Sequence, residues 1–311
     1  MSQDYGSRAA RRLRRTVGVA RRRVADASRL GERVARLDKR LRKVDREVAD
    51  LRRAVARLEG GSGAVTAASG SAQRAGRGMP PPVDVGAVTS ELAPDLERVV
   101  TRVVEEHLSY VGRAGLRTLA TVVSELETAE VPGLIVETGT ALGGSAIVMA
   151  AAKSAGRSMK VYDVFGMIPP PGGRDGEDVH DRYQTIAAGG SQGLGGQTYY
   201  GYRDDLLTEV ADSFDSFGLP LGKNNVELVS GLFEDTITLD EPVALAHLDG
   251  DWYESTMTCL TRIAPLISHG GRLVIDDYDA WSGCRTAVDE YFVGHTGFRL
   301  ERRGKLHVVR I

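Results

Sequence analysis

The chain of 311 residues is poor in the residues that build metal, redox and stacking sites: it has two cysteines, two tryptophans and six histidines. Cys259 and Cys284 lie in no metal-type spacing, which excludes a cysteine zinc site and suits a reducing compartment. No apolar run approaches the roughly 20 residues needed to span a bilayer. Arginine interrupts the N-terminal stretch throughout, so it has no apolar core of the signal-peptide kind, and a cytoplasmic location is expected. There is no P-loop lysine, no strict G-x-G-x-x-G spacing and no nucleic-acid-binding module.

What is present divides unevenly. Residues 1–59 hold 19 Lys+Arg against 8 Asp+Glu, a net of +11, whereas the remainder holds 21 against 34, a net of −13. Such a split points to separate functional parts. From Leu30 the apolar residues fall at Leu30, Val34, Leu37, Leu41, Val44, Val48, Leu51, Val55 and Leu58, alternating steps of four and three. A strict heptad of this kind predicts a coiled coil over 30–59, and mostly β-branched a positions with mostly Leu d positions favour two parallel strands. Interhelical pairs Arg33–Asp38, Arg40–Asp45 and Glu47–Arg52 are opposite in sign, so self-association is expected. The basic segment 1–29 carries only a thin apolar stripe without aromatic anchors, so any contact with an anionic membrane would be weak and electrostatic. Residues 60–82, rich in Gly, Ala and Ser and ending in three prolines, read as a flexible linker.

Residues 83–311 alternate apolar strand signals with helical ones: "GLIVETG", "MKVYDVF", "NVELVSG", "VALAHLDG" and "GRLVIDDY", closed by "FRLERR" and "KLHVVRI" around Gly304. Continuous apolar strands separated by helices predict an α/β fold with a mostly parallel sheet covered on both faces. The terminal hairpin suits the seven-stranded Rossmann-like sheet of a class I methyltransferase, in which ligands bind beyond the carboxyl ends of the strands.

Those ends are acidic. "ALAHLDGDWYEST" and "GGRLVIDDYDAW" both run from buried strand into carboxylates, which are costly near an apolar core unless paired or bound to a cation. "ETGTALGGSA" places Glu137 and a glycine turn directly after the first strand of the set, and Asp163 ends the second, 24 residues beyond Gly139. A carboxylate there suits the two hydroxyls of a ribose, and the combination suggests an adenosine-containing ligand. His247 reads as either a proton relay or a hydrogen-bonded core histidine, Asp251 as either a partner supporting the metal ligands or, preferred, the N-cap of the following helix, and Trp281 as either packing or a stacking surface.

The motifs "ETGTALGGSA", "YDVFGMIPPP", "SGLFEDTI", "HLDGDWYEST" and "IDDYDAWSGCRTAVDEY" resemble the macrocin O-methyltransferase family, which methylates sugar hydroxyls on macrolide antibiotics, over roughly residues 131–311. The resemblance implies S-adenosylmethionine held by Glu137, Thr138, Gly139, Thr140, Ala141, Asp163, Phe165, Gly231 and Asp249. It implies Mg²⁺ on Asp249, Asp276 and Asp277, with Asp249 also the general base and Glu254 touching a small-molecule or glycan acceptor. Thr140 and Ala141 replace larger residues usual in the family. The segment 166–203, glycine-rich with four tyrosines, is expected to form a mobile lid over the acceptor. Rival readings of the acid set are a metal-dependent hydrolase, which leaves Glu137, the glycine turn and Asp163 without a role, and a non-catalytic tethering protein. Deleting residues 1–82 should lower the oligomeric state contributed by the arm while sparing chemistry on a soluble acceptor; light scattering on both forms together with one kinetic assay checks this.

Overall fold

The computed structural model describes residues 81–86 and 91–311. The expected basic segment and coiled coil, and all but the last two residues of the expected linker, lie outside the described residues.

Among the described residues eight strands form one sheet: β1 (Val83–Asp84), β2 (Leu134–Thr138), β3 (Met159–Asp163), β4 (Val226–Ser230), β5 (Val243–Leu248), β6 (Ile267–Ile275), β7 (Phe298–Arg303) and β8 (Lys305–Arg310). Their spatial order is β1-β7-β8-β6-β5-β2-β3-β4. The run β6-β5-β2-β3-β4 is parallel, and β8 enters antiparallel between β6 and β7. The methyltransferase-like sheet read from the sequence is therefore present. Its eighth strand, the two-residue β1, pairs parallel with β7 at the edge and is too short to leave a sequence pattern.

Alternation along the strands explains the two-faced core. Ile135, Val161 and Val274 pack on one face with Val122 and Val123 of α2 (Arg113–Thr128), Ile147 of α3 (Gly144–Ala152) and Phe214 of α5 (Leu206–Ser216). α1 (Pro94–Glu105) adds Val100 and Val103 to that layer. Val136, Leu273 and Ile275 pack on the other face with Leu260 and Ile263 of α7 (Tyr253–Ile263) and Val288 and Phe292 of α8 (Ser282–Phe292). A one-turn helix, α6 (Phe233–Thr236), follows β4. The glycine-rich segment 166–203 is structured: it contains α4 (Glu177–Ala187) and two short 3-10 turns at Leu194–Gly196 and Tyr200–Tyr202. Helices α4 and α5 were not anticipated, because glycine and tyrosine around them masked the helical period.

The register aligns Glu137, His247, Val274 and His307 as one row across β2, β5, β6 and β8. His307 is fully buried, and neither ring nitrogen has a hydrogen-bond partner. Burial, reinforced by Arg272 and Arg303, lowers its pKa to about 3. The unfolded chain therefore binds a proton below about pH 6.5 that the folded chain refuses, so stability falls as pH drops from there toward 3. Between pH 7 and 5 this histidine should account for about 2 kcal/mol of lost stability. Denaturant unfolding at both pH values should show a smaller loss in His307→Leu than in the wild type.

Candidate active site

The carboxyl ends of β2, β3, β5 and β6 meet at one edge of the sheet. The backbone N–H of Asp249 donates to Thr138 at 2.9 Å, and that of Asp276 donates to Leu248 at 2.9 Å. Each acidic residue is thereby pinned one position beyond its own strand, against the strand beside it. Gly139 has φ +81°, and a Cβ there would sit 1.9 Å from the carbonyl oxygen of Asp249. Only glycine permits that approach. A Cβ on Gly144 would likewise stand 2.5 Å from the Leu108 carbonyl.

Asp163 organises the turn. Its Oδ2 accepts the N–H groups of Thr140 at 2.7 Å and Ala141 at 3.0 Å, and its Oδ1 that of Phe165 at 2.8 Å. Ala141 and Phe165 both have positive φ, +48° and +49°, a conformation costly for non-glycine residues unless the surroundings hold it. Burial raises the Asp163 pKa, and the three donors oppose that rise. Two carboxylate oxygens offer about four acceptor sites, so one remains for a ligand.

Glu137 is placed differently from its sequence reading as a direct ligand contact. It is fully buried, its Oε2 accepting the Thr140 hydroxyl at 2.8 Å and its Oε1 lying 3.0 Å from His247 Nδ1. Of the two readings of His247, the hydrogen-bonded buried histidine is the one observed. Burial lowers its pKa, but the Asp276 and Glu137 carboxylates on either side lift it to about 9. Its Nε2 lies 3.7 Å from Asp276 Oδ1, a charge contact too long for a hydrogen bond.

Three carboxylates converge: Asp249, Asp251 and Asp277 each offer an oxygen within 4.8 Å of the others. The structure thus brings two of the three expected ligands together and adds Asp251. Asp276 stands beside this set, its Oδ2 accepting from Lys305 Nζ at 2.8 Å. Burial would raise its pKa, but His247 and Lys305 hold it down at about 2. Asp251 is not a helix cap. Its φ of +55° directs the chain away, its Oδ1 accepts Trp281 Nε1 at 2.9 Å, and Asp175 takes the capping role by accepting the Tyr253 N–H at 2.8 Å. The spacing Asp249-x-Asp251 was the only signal of its membership. Burial raises the pKa of all three; neighbouring carboxylates add to the rise at Asp249 and Asp251, while at Asp277 a hydrogen bond with Asp249 opposes it and the charge of Asp276 adds to it. Three crowded oxygen donors with little compensating charge fit a hard divalent cation.

Two cavities open on this edge. The larger, about 400 Å³, is bounded by Asp163, Leu232, Phe233, Pro169 and Glu254. The second, about 320 Å³, holds the acid cluster, Lys305, Thr140 and Ala141 beneath Tyr110, Tyr199 and Trp281. Gly139, Asp163, Ile168, Tyr200, Asp249 and Asp251 belong to both. Glu254 lines the first cavity together with Asp249 and Asp251, whereas Gly231 supports the floor by donating its N–H to the Asp163 carbonyl at 3.0 Å. Segment 166–203 supplies part of both walls and is tied down where Trp252 Nε1 donates to Pro169 at 2.9 Å. The aromatic cluster was invisible in the sequence because Tyr110 and Tyr199 come from distant segments; their rings stand 6.4 Å apart, centroid to centroid.

A parallel sheet with an inserted antiparallel strand, a glycine turn after β2 and acidic strand ends define a class I methyltransferase fold. The solved O-methyltransferase NovP shares it with a TM-score of 0.55 at 24% identity, covering 69% of this chain and 96% of that one. The chain belongs to the macrocin O-methyltransferase (TylF) family, whose model matches residues 102–296. It is 31% identical to the demethyldecarbamoylnovobiocin O-methyltransferase of Streptomyces niveus, over 58% of this chain and 66% of that protein. It is 35% identical to a Streptomyces olivaceus 4'-O-methyltransferase of a rhamnosyl-tetracenomycin C, over 52% and 58%. The matches thus span about three fifths of these relatives. The family match begins in the last turn of α1 and takes in the whole of α2, which carries none of the motifs.

Crowding three carboxylates destabilises the free protein by of order 1 kcal/mol or more, as repulsion where they stay charged and as forced proton uptake where they do not. Asp277→Asn, which keeps the acceptor for the Asp251 N–H, should therefore raise the melting midpoint in chelator by roughly 2–4 °C. If the cluster holds a cation, Mg²⁺ should raise the wild-type midpoint further and leave that of Asp277→Asn unchanged. Thermal scans of both proteins with and without Mg²⁺ check this.

Proposed function

We propose that the protein transfers the methyl group of S-adenosylmethionine to a hydroxyl of a sugar or glycosylated small molecule, with Mg²⁺ assisting. The observation that carries this reading is the junction of the two cavities. The residues shared by both include the glycine turn's Gly139 and two carboxylates of the cation cluster, so a cofactor in one and an acceptor in the other meet there. Family membership agrees, as do relatives named as O-methyltransferases of demethyldecarbamoylnovobiocin and of a rhamnosyl-tetracenomycin C.

In this reading Asp163 gives its remaining acceptor site to the ribose, and Leu232 and Phe233 form an apolar wall for the adenine. Thr138, Gly139, Thr140, Ala141, Phe165 and Gly231 shape the turn and floor around the cofactor; Glu137 acts from beneath by holding the Thr140 hydroxyl. Asp249, Asp251 and Asp277 hold the cation, with Asp276 kept alongside by Lys305. When bound, Mg²⁺ supplies Lewis acidity that makes a sugar hydroxyl easier to deprotonate. Asp249, at the cavity junction, accepts the hydroxyl proton as general base, and Asp251, fixed by Trp281, is the neighbouring carboxylate within reach. Burial pushes the Tyr199 phenol up to about 12, so it stays protonated and can donate to acceptor oxygens, while the tyrosine and tryptophan faces suit the C–H face of a sugar. Glu254 remains a candidate acceptor contact. Self-association through residues 30–59, and weak contact of segment 1–29 with anionic membrane, rest on the sequence pattern alone; among the described residues no helix is long and apolar enough to cross a membrane.

Calorimetry and an acceptor screen test the proposal. The protein should bind S-adenosylmethionine, and Asp163→Ala should weaken that binding about tenfold or more, the worth of one charge-assisted hydrogen bond. Mass spectrometry over a panel of glycosides should find a product heavier by one CH₂, lost in Asp277→Ala and in excess chelator. A protein that ignores the cofactor refutes the methyltransferase reading, and full turnover in chelator refutes the role of Mg²⁺.

A further inference from the structure

We propose that His247 is a positioning residue that couples the glycine turn to the acid cluster, so that a divalent cation at Asp249, Asp251 and Asp277 tightens cofactor binding at the turn. This rests on the reading of the site just given.

The observations form a continuous row. At one end the Thr140 hydroxyl, part of the turn, donates to Glu137 Oε2 at 2.8 Å. Glu137 Oε1 meets His247 Nδ1 at 3.0 Å. At the other end Lys305 Nζ donates to Asp276 Oδ2 and to the Asp276 carbonyl, both at 2.8 Å. Asp276 is covalently joined to Asp277, and Lys305 faces the same cavity as the three clustered carboxylates. The row has one open joint. His247 Nε2 and Asp276 Oδ1 stand 3.7 Å apart, both buried and neither with any hydrogen-bond partner.

Two buried polar atoms facing each other without a bond carry a desolvation cost that a bond would remove. Closing the joint requires a shift of roughly 0.8 Å, from 3.7 Å to an ordinary hydrogen bond. Ligation of Asp277 and Asp249 by a cation draws on the β6 end that carries Asp276. A closed joint then restrains the His247 ring, the Glu137 carboxylate and the Thr140 hydroxyl in turn. A backbone tie runs in parallel, since Gly139 packs on the Asp249 carbonyl and Asp249 N–H donates to Thr138. The row is packed and fully buried at Glu137 and His247, so it transmits a small displacement rather than absorbing it. Because coupling of two binding events is reciprocal, the cofactor must raise cation affinity by the same factor.

The test is the ratio of two dissociation constants for S-adenosylhomocysteine, measured by calorimetry on the full chain in excess Mg²⁺ and in chelator. In the wild type Mg²⁺ should tighten binding about fivefold or more. In His247→Leu, and separately in Thr140→Val, the factor should fall below about twofold. Thr140→Val keeps the shape of the turn residue and cuts only the hydroxyl end of the row, so it serves even if the His247 variant fails to fold. A merely structural weakening lowers affinity in both conditions equally and leaves the ratio at its wild-type value. The proposal is overturned if the wild-type factor is below twofold, or if either folded variant retains the wild-type factor. Failure of the wild type to bind S-adenosylhomocysteine in both conditions would instead refute the methyltransferase reading itself.

Discussion

Crowding of carboxylates at one edge of the sheet is the constraint around which the rest is arranged. Glu137, Asp163, Asp249, Asp251, Asp276 and Asp277 all gather where β2, β3, β5 and β6 end, and a buried carboxylate is tolerable only with donors or opposite charge. Two are satisfied internally, Asp163 by three backbone N–H groups and Glu137 by His247 and Thr140, and a third, Asp276, is held at one oxygen by Lys305. Among the described residues the remaining three are met by the Trp281 indole and the Asp251 N–H and otherwise lean on one another. This division separates the carboxylates that build the site from those left to hold something.

The internally satisfied carboxylates do structural work that a ligand then uses. Asp163 stabilises two residues in the left-handed region and so shapes the turn that faces both cavities. A direct ribose contact and this scaffolding role are compatible because a carboxylate has more acceptor capacity than three bonds consume. Glu137 acts one step removed, beneath the turn rather than in the cavity. Segment 166–203 contributes in a similar way: Asp175 caps α7 from outside it, and the Pro169 carbonyl holds Trp252, so the wall over the site and the strand end beneath it are mutually braced.

Much of the fold was legible in the residues. The apolar runs at 134–138, 159–163, 226–230 and 243–248 gave parallel strands, because a sheet covered on both faces needs continuous rather than alternating hydrophobicity. Gly304 between "FRLERR" and "KLHVVRI" gave the hairpin. Helix α5, "LLTEVADSFDS", is not evident from the sequence although Leu206, Val210 and Phe214 bury one face, since the glycine-rich stretch before it masks the helical period. The two-residue β1 has no local signature and exists only because β7 offers it an edge.

For the site, the residue types at the strand ends are set by the sequence alone: an acid as the last residue of β3, acids just after β5 and β6, and glycines after β2. These follow from position along the chain, and strand period and turn chemistry encode position. It could not determine which acids meet. Whether Asp276 or Asp251 joins Asp249 and Asp277 depends on a left-handed residue at 251, an indole from Trp281 and an ammonium from Lys305, which is remote in sequence from Asp276. Likewise the partnership of Glu137 with His247 exists only because β2 and β5 pair in a register that sets those two residues side by side. Cross-strand register and long-range charge pairing are properties of the packed sheet, and only the tertiary structure decides them.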